Sequence, residues 1–372
     1  MIYLDNAATT MIKPAQVGES VVRAMRSMAS PGRGGHPPAM RAAEAVYGCR
    51  CAAAALFKVE APERVVFTMN ATHALNIAIA SLARRGTRTV ISGFEHNSVT
   101  RPLRAAGAEV SVAGRRLFDA AAVLEDFGRL IPGSELVVCT HVSNVFGFIL
   151  PIYEIAELCA RHCVPLIVDA SQSAGILELD MERLGAAFIA MPGHKALYGP
   201  QGTGMLLCGR EGAPLLYGGS GSDSVAQRMP DYLPDRLEAG THNVCGIAGL
   251  RAGIDFVTER GLNNIFSHEQ RLTKLMEERL EGSGLELFRG GAGEQCGVLS
   301  VRHGGIDSEA LSAALAEKGV CVRAGLHCAP TAHESAGTLE TGTVRFSFSA
   351  FTTEKQVLEA CAALRGVCRE LL

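Results

Sequence analysis

Short apolar runs bounded by turn residues alternate with longer, helix-spaced segments from about residue 64 to about residue 208. Residues 64–68, 88–92, 109–112, 135–141, 164–168, 187–191 and 203–208 read as strands, with helices at 71–84, 98–106, 118–130 and 152–163. The runs at 164–168 and 187–191 are almost wholly apolar, which marks strands covered on both faces. This rhythm predicts an α/β fold built on a doubly wound, mostly parallel seven-stranded sheet. After Gly240 the pattern changes. Helices at 244–259 and 262–280 lead into short strands at 285–288, 297–301, 320–323 and 343–347, with helices at 308–318 and 353–371. That describes a smaller C-terminal α/β unit, expected to hold an antiparallel sheet. Residues 15–250 are assigned to the large domain, and 1–14 with 251–372 to the small one. The segment up to about Arg33 is rich in turn residues and is expected to pack across both units.

Composition narrows the class. At 372 residues the chain suits one large domain plus a smaller one. A hydrophobic content of 48% and 41 glycines fit a well-packed α/β enzyme with many tight loops. The net charge of -3 gives no electrostatic case for nucleic acid or an anionic membrane. No apolar run reaches the roughly 18 residues of a membrane span. Met1 to Asn6 show no basic stretch followed by an apolar one, so no secretory signal is read and a cytoplasmic protein is expected. The 12 cysteines are then expected to be reduced, and without a Cys-x-x-Cys spacing no metal site is expected. Cys159 and Cys163, four apart on a predicted helix, read as buried packing thiols.

Two residues carry the chemistry. Asp169 closes the strand at 164–168, and Lys195 follows the strand at 187–191 through Pro192-Gly193-His194. Ligands of open α/β sheets bind beyond the carboxyl ends of the strands. A carboxylate and a lysine delivered there suit pyridoxal phosphate, the lysine as Schiff base and the carboxylate against the pyridinium nitrogen. A structural ion pair is the alternative. The glycine-rich turn at 198–204 reads equally well as a cofactor loop or a plain turn. The junction at 68–74 is a better phosphate site, because a strand ends there and a helix begins. Asn70 or Thr72 could also be simple N-caps.

Seven collinear motifs then fall in order: residues 3–10 (Tyr-Leu-Asp-Asn-Ala-Ala-Thr-Thr), Glu95-His96-Asn97, 141–147 (His-Val-Ser-Asn-Val-Phe-Gly), 168–172 (Val-Asp-Ala-Ser-Gln), Gly193-His194-Lys195, Glu238-Ala239-Gly240-Thr241 and 323–329 (Arg-Ala-Gly-Leu-His-Cys-Ala). Together they resemble the class V aminotransferase superfamily, and within it the group II cysteine desulfurases and selenocysteine lyases. The resemblance spans nearly the whole chain. It implies a fold-type I pyridoxal phosphate enzyme, a homodimer with active sites at the subunit interface.

Position by position, the resemblance implies that Lys195 holds the cofactor and shuttles the substrate α-proton. Asp169 would keep the pyridine nitrogen protonated, an effect of the neighbouring negative charge. His96 would stack on the ring, Gln172 would hydrogen-bond its phenolic oxygen, and Asn144 would support ring and substrate. Thr72 and His194 would contact the phosphate, and Thr241 would reach it from the partner subunit. Arg345 would clamp the substrate carboxylate, with Arg323 a second candidate or a structural ion pair. Cys328, flanked by His327 in a loop, would take the sulfur as a persulfide. The implied reaction is L-cysteine to L-alanine, with the sulfur passed to an acceptor. Selenocysteine as substrate stays open, as do aminotransferase and C–S lyase chemistry on the same fold.

Two positions depart from the pattern. Pro192 stands where the family usually has a hydroxyl residue three before the lysine, and His242-Asn243 stand where it usually has Pro-Asn.

Overall fold

The computed structural model describes residues 1–32, 34–291 and 293–371. Strand β1 (Ile2–Tyr3) is followed by α1 (Ala15–Ser27) and α2 (Pro37–Phe57). The alternating stretch comprises β2 (Val65–Thr68), α3 (Ala71–Leu82), β3 (Arg88–Ser92), α4 (Asn97–Ala106), β4 (Glu109–Ala113) and α5 (Ala120–Leu130). It continues with β5 (Leu136–Thr140), α6 (Ile152–Arg161), β6 (Leu166–Asp169), α7 (Met181–Leu184), β7 (Phe188–Pro192) and β8 (Gly204–Cys208). Helices α8 (Val244–Arg260) and α9 (Leu262–Leu280) lead to β9 (Leu285–Phe288), β10 (Val298–His303) and α10 (Ser308–Glu317). The chain closes with β11 (Val320–Cys321), β12 (Arg323–Gly325), α11 (Pro330–Ala336), β13 (Thr343–Ser347) and α12 (Glu354–Glu370).

The main sheet has seven strands in the order β2-β8-β7-β6-β5-β3-β4. β8 runs antiparallel to both β7 and β2, and the remaining neighbours pair in parallel. All strands but β8 therefore point the same way. Every residue of β5, β6 and β7 is buried, as expected for strands covered by helices on both faces. One core beneath the sheet draws on α2, α5 and α6, and the other on α3 and α4. The consequence for chemistry is geometric. The C-terminal ends of β2, β3, β5, β6 and β7 open onto one edge, and each passes directly into a segment holding a predicted site residue.

A four-stranded antiparallel sheet, β12-β13-β10-β9, forms the second layer system with α9, α10 and α12. β1 pairs with β11, and Asp5 bridges to Ser347, so the first residues of the chain are woven into this second unit. Among the described residues no helix is long and apolar enough to cross a membrane.

The structure corrects four sequence readings. Residues 15–27 form a helix rather than turns; only Val17, Ser20 and Ala24 are buried on it, too thin a stripe to stand out. Arg33, the end set for that segment, lies outside the described residues. The helix α2 was not anticipated. Its alanines lie on every side, so they blur the apolar period, although Pro37 at its start and His36 Nδ1 accepting from Ala39 N are ordinary start signals. The strand expected at 320–323 is two strands in two sheets, with the chain crossing over at Val322. Cys163 is exposed at the end of α6 in a left-handed conformation, not buried, whereas Cys159 is buried.

Candidate active site

A pocket of about 220 Å³ opens at the strand edge. Thr72, His96, Asn144, Asp169, Gln172, His194, Lys195, Arg323 and Arg345 all line it, so nine side chains expected from sequence meet at one place. Ala7 and Ala8, from the N-terminal segment, complete one wall.

Asp169 ends β6, opposite Thr140 of β5 and Ala190 of β7. It is 2% exposed. Its Oδ1 accepts from Ser171 N at 2.9 Å, which leaves Oδ2 without a hydrogen bond among the described residues. Lys195 follows β7, and burial of its ammonium pulls the pKa down to about 8, with Arg345 and Arg323 acting in the same direction and Asp169 opposing them. Its side chain makes no hydrogen bond among the described residues, so the amine is held by packing and left open to react.

The other wall is an anion cradle. Asn70 caps α3, accepting from His73 N at 2.8 Å. The N–H groups of Ala71 and Thr72 take no partner among the described residues, at the positive end of the helix dipole. Thr72 Oγ1 lies 2.8 Å from Ser98 Oγ, which in turn lies 2.9 Å from His96 Nδ1. Ser98 N also donates to that Nδ1, which places the imidazole proton on Nε2. Burial lowers the His96 pKa to about 4, so the ring is neutral. His194 is likewise neutral, lowered to about 4 by burial, with Nδ1 3.1 Å from Thr9 Oγ1. Pro192 lines the cradle without adding a donor.

Ser98 was not singled out in the sequence. It sits two residues after His96 and two after an N-cap, where a serine reads as helix-start decoration. Glu95 was quoted only as part of a motif. Fully buried, it accepts from Ser92 Oγ at 2.5 Å and Thr140 N at 2.7 Å, which ties the ends of β3 and β5 together beneath His96. Burial raises its pKa to about 8.

Arg345 is 1% exposed. Nη2 pairs with Asp5 Oδ1 at 2.8 Å, Nη1 donates to Asn144 O at 2.8 Å, and Nε has no partner. A buried guanidinium N–H without an acceptor, on a residue that lines the pocket, leaves hydrogen-bonding capacity for an anionic group there. Arg323 is directly opposite Arg345 in the β12–β13 pairing. It makes no ion pair among the described residues, so the structural-pair reading fails, and its Nη2 instead lies 3.8 Å from Cys328 Sγ.

Cys328 is exposed, just outside the pocket lining. His327 and Cys328 both sit in the left-handed region, with φ of 50° and 58°. Two non-glycine residues there store strain, and the surroundings hold them in place. Asn144 Nδ2 donates to His327 O and Asn97 N donates to Cys328 O, both at 2.8 Å. The His327 ring is buried and lies 3.4 Å from Thr343 Oγ1. Asn144 thus spends one amide hydrogen on the cysteine loop, and Gln172 spends one on Ala7 O at 3.0 Å. Each retains a second one.

Thr241 lies elsewhere, in a separate cavity of about 180 Å³ beside Met69, His73 and Leu216. Its loop is anchored by Glu238, which pairs with Arg50 inside the protein and lies 3.2 Å from His242 Nε2. The structure does not bring Thr241 to its own chain's pocket.

Comparisons with known proteins bear on this site. The Aminotransferase class-V family matches residues 2–359. A probable cysteine desulfurase of Methanothermobacter thermautotrophicus is 34% identical over 378 residues, covering 96% of this chain and 92% of the relative. One from Xylella fastidiosa is 33% identical, covering 100% and 92%. Among solved structures, the apo structure of a cysteine desulfurase from Thermococcus onnurineus NA1 superposes with a TM-score of 0.89 at 30% identity, covering 100% of this chain and 94% of the other. The cysteine desulfurase CsdA of Escherichia coli, in an S-sulfonic acid form, gives 0.86 at 26%, covering 100% and 95%. A match that runs almost from end to end, over a strand edge bearing Asp169 and Lys195 in their expected places, leaves one assignment: the chain belongs to the class-V aminotransferase family.

Proposed function

We propose that the protein is a pyridoxal phosphate-dependent cysteine desulfurase of the group II kind. It takes L-cysteine, releases L-alanine and keeps the sulfur as a persulfide on Cys328. The observation that carries this reading is the placement of a thiol beside Arg323, at the mouth of a pocket holding Asp169, Lys195 and the open edge of Arg345. An aminotransferase needs no such thiol.

The residues present fit the cofactor. Asp169 offers a free carboxylate oxygen for a protonated ring nitrogen, Lys195 an amine whose pKa burial draws down to about 8, and His96 a neutral ring for stacking. Thr72, Ser98, His194 and the two free N–H groups of α3 suit a phosphate. Pyridoxal phosphate, when bound, supplies an acceptor for the electron pair left at the substrate α-carbon. The chain does the rest. Arg345 orients the substrate through its carboxylate. Lys195 takes and returns the α-proton. Arg323, a fixed positive charge 3.8 Å from Cys328 Sγ, holds the side chain at the pocket mouth. In the sulfur step the substrate C–S bond breaks, an S–S bond forms on Cys328, and the new methyl carbon of alanine gains a proton.

The lowered pKa of Lys195 has a kinetic consequence. An amine with a pKa near 8 is half deprotonated at that pH, whereas an ordinary lysine is almost wholly charged there. The rate at which apoenzyme captures pyridoxal phosphate should therefore rise with pH and level off just above 8. Stopped-flow absorbance measures it; a rise continuing to pH 10 would mean that the lysine is not desolvated.

Arg345→Ala should weaken L-cysteine binding by on the order of 2–5 kcal/mol, the usual cost of losing one partner of a desolvated, hydrogen-bonded charge pair. Cofactor affinity should stay nearly constant. Steady-state kinetics that match wild type would remove Arg345 from the substrate site.

A homodimer completes the proposal. Thr241 lines a separate cavity rather than its own chain's pocket, and that cavity carries exposed Met69 and Leu216, with Tyr217 nearby at 78% exposure. A second copy covering this face would bury those side chains and bring Thr241 to its phosphate. Sedimentation equilibrium should give twice the 39.2 kDa chain mass, and a monomer at micromolar concentration would contradict it. The proposed division at 15–250 gives this face to the large domain.

The function itself is tested by supplying L-cysteine and L-selenocysteine in parallel and measuring alanine, pyruvate and protein-bound sulfur. Alanine with bound sulfur supports desulfuration. Pyruvate as the main product would make the protein a C–S lyase.

A further inference from the structure

Glu269, on α9, is 2% exposed, and its carboxyl group joins no hydrogen bond or ion pair among the described residues. It borders a second, small cavity of about 20 Å³, shared with Thr10, Gln172, Lys195, Tyr198 and Ser349. Gly297 makes the room, since a Cβ there would stand 2.6 Å from Glu269 Oε2. A water needs roughly 10–15 Å³ of such space and two to four polar partners. The cavity therefore takes one water, with hydroxyl, amide and carboxyl groups around it. The cofactor pocket and this cavity have Lys195, Gln172, Ala7 and Val142 in common.

The charge state of Glu269 follows from its surroundings. An isolated buried carboxylate is far more expensive than the neutral acid. The titratable groups facing it are Tyr198, from the turn after Lys195, and Cys296, before β10; burial pushes both upward, so neither is charged. Lys195 lines the same cavity and is itself pulled toward neutrality by burial. Burial likewise drives the Glu269 pKa well above the usual carboxylate value.

We propose that Glu269 is a positioning residue for Lys195, acting as a neutral acid through one water held in this cavity. The acid donates to the water and the water donates to the lysine amine. When a proton moves, Glu269 passes its own to the water while the water passes one to Nζ. Carboxylate and ammonium result, the water is regenerated, and the reverse transfer restores the start. Lys195 thus keeps a proton source on the side away from bulk solvent. The inference rests on Lys195 being the cofactor lysine.

Infrared difference spectra of wild type minus Glu269→Gln holoenzyme at neutral pH should contain one protonated-carboxyl band that shifts in D2O, the band of Glu95 cancelling because it is common to both. Both Glu269→Gln, which keeps the shape, and Glu269→Leu, which dries the cavity, should lose on the order of tenfold in kcat with KM unchanged. Borohydride reduction should still label Lys195 in each variant. A difference spectrum without that band, or a Glu269→Gln enzyme with full kcat, overturns the proposal while the labelled Lys195 leaves the desulfurase reading standing. A label on another lysine instead brings down the cofactor assignment, and this inference with it.

Discussion

Lys195→Ala is expected to abolish covalent retention of pyridoxal phosphate and to lower alanine formation on the order of 10³-fold or more. One side chain carries both the bond to the cofactor and the proton transfer, and positioned acid–base catalysis alone contributes about 10²–10⁴-fold. The loss should leave the fold intact. The lysine side chain makes no hydrogen bond among the described residues, and removing a desolvated amine relieves rather than adds a burial cost. Thermal melting of the apoprotein should shift little, while the visible absorbance of the lysine-bound cofactor disappears. Borohydride reduction and peptide mapping of wild type give the complementary check. A labelled peptide other than the one holding Lys195 would refute the assignment.

Cys328→Ala is the second large effect. The pocket loses only the Arg323 contact to Sγ, because Cys328 lies outside its lining and Lys195, Asp169 and Arg345 make no contact through the thiol. The variant should therefore bind L-cysteine and show the wild-type spectral change on mixing. Alanine production should fall by roughly 100-fold or more, since a thiol held at the pocket mouth acts at an effective concentration no free thiol reaches. Selenocysteine turnover should fall less, because the weaker C–Se bond breaks with less help from a nucleophile. The loop geometry sharpens the expectation. His327 O and Cys328 O are each fixed by a hydrogen bond, so the thiol approaches from a pinned loop rather than a floppy one. Equal losses on both substrates would place Cys328 in a structural role.

Much of this site was legible in the sequence, for a physical reason. Asp169 and Lys195 follow buried strands, and an apolar run that ends in a charged residue announces both the strand and its outlet. The residues that were missed depend on partners distant in the chain. Asp5 shares the Arg345 guanidinium across 340 positions, and no local spacing records that contact. Ser98 looks like a helix-start serine until Thr72 is placed beside it. Helix α2 escaped because small residues on all sides carry no period. The departures at Pro192 and His242 acquire meaning only with coordinates: Pro192 adds no donor to the pocket wall formed by Thr72, Ser98 and His194, while His242 Nε2 lies 3.2 Å from the Glu238 carboxylate under the loop of Thr241.

The central claim is that Cys328 receives the sulfur. The most direct measurement is mass spectrometry of wild-type protein, loaded with pyridoxal phosphate and quenched after brief exposure to L-cysteine without reductant. The account predicts a mass increase of one sulfur atom on the peptide containing Cys328, lost on treatment with a thiol reductant and absent from Cys328→Ala. Added sulfur on exposed Cys163 or any other cysteine, or alanine formed at the wild-type rate by the variant, would contradict it.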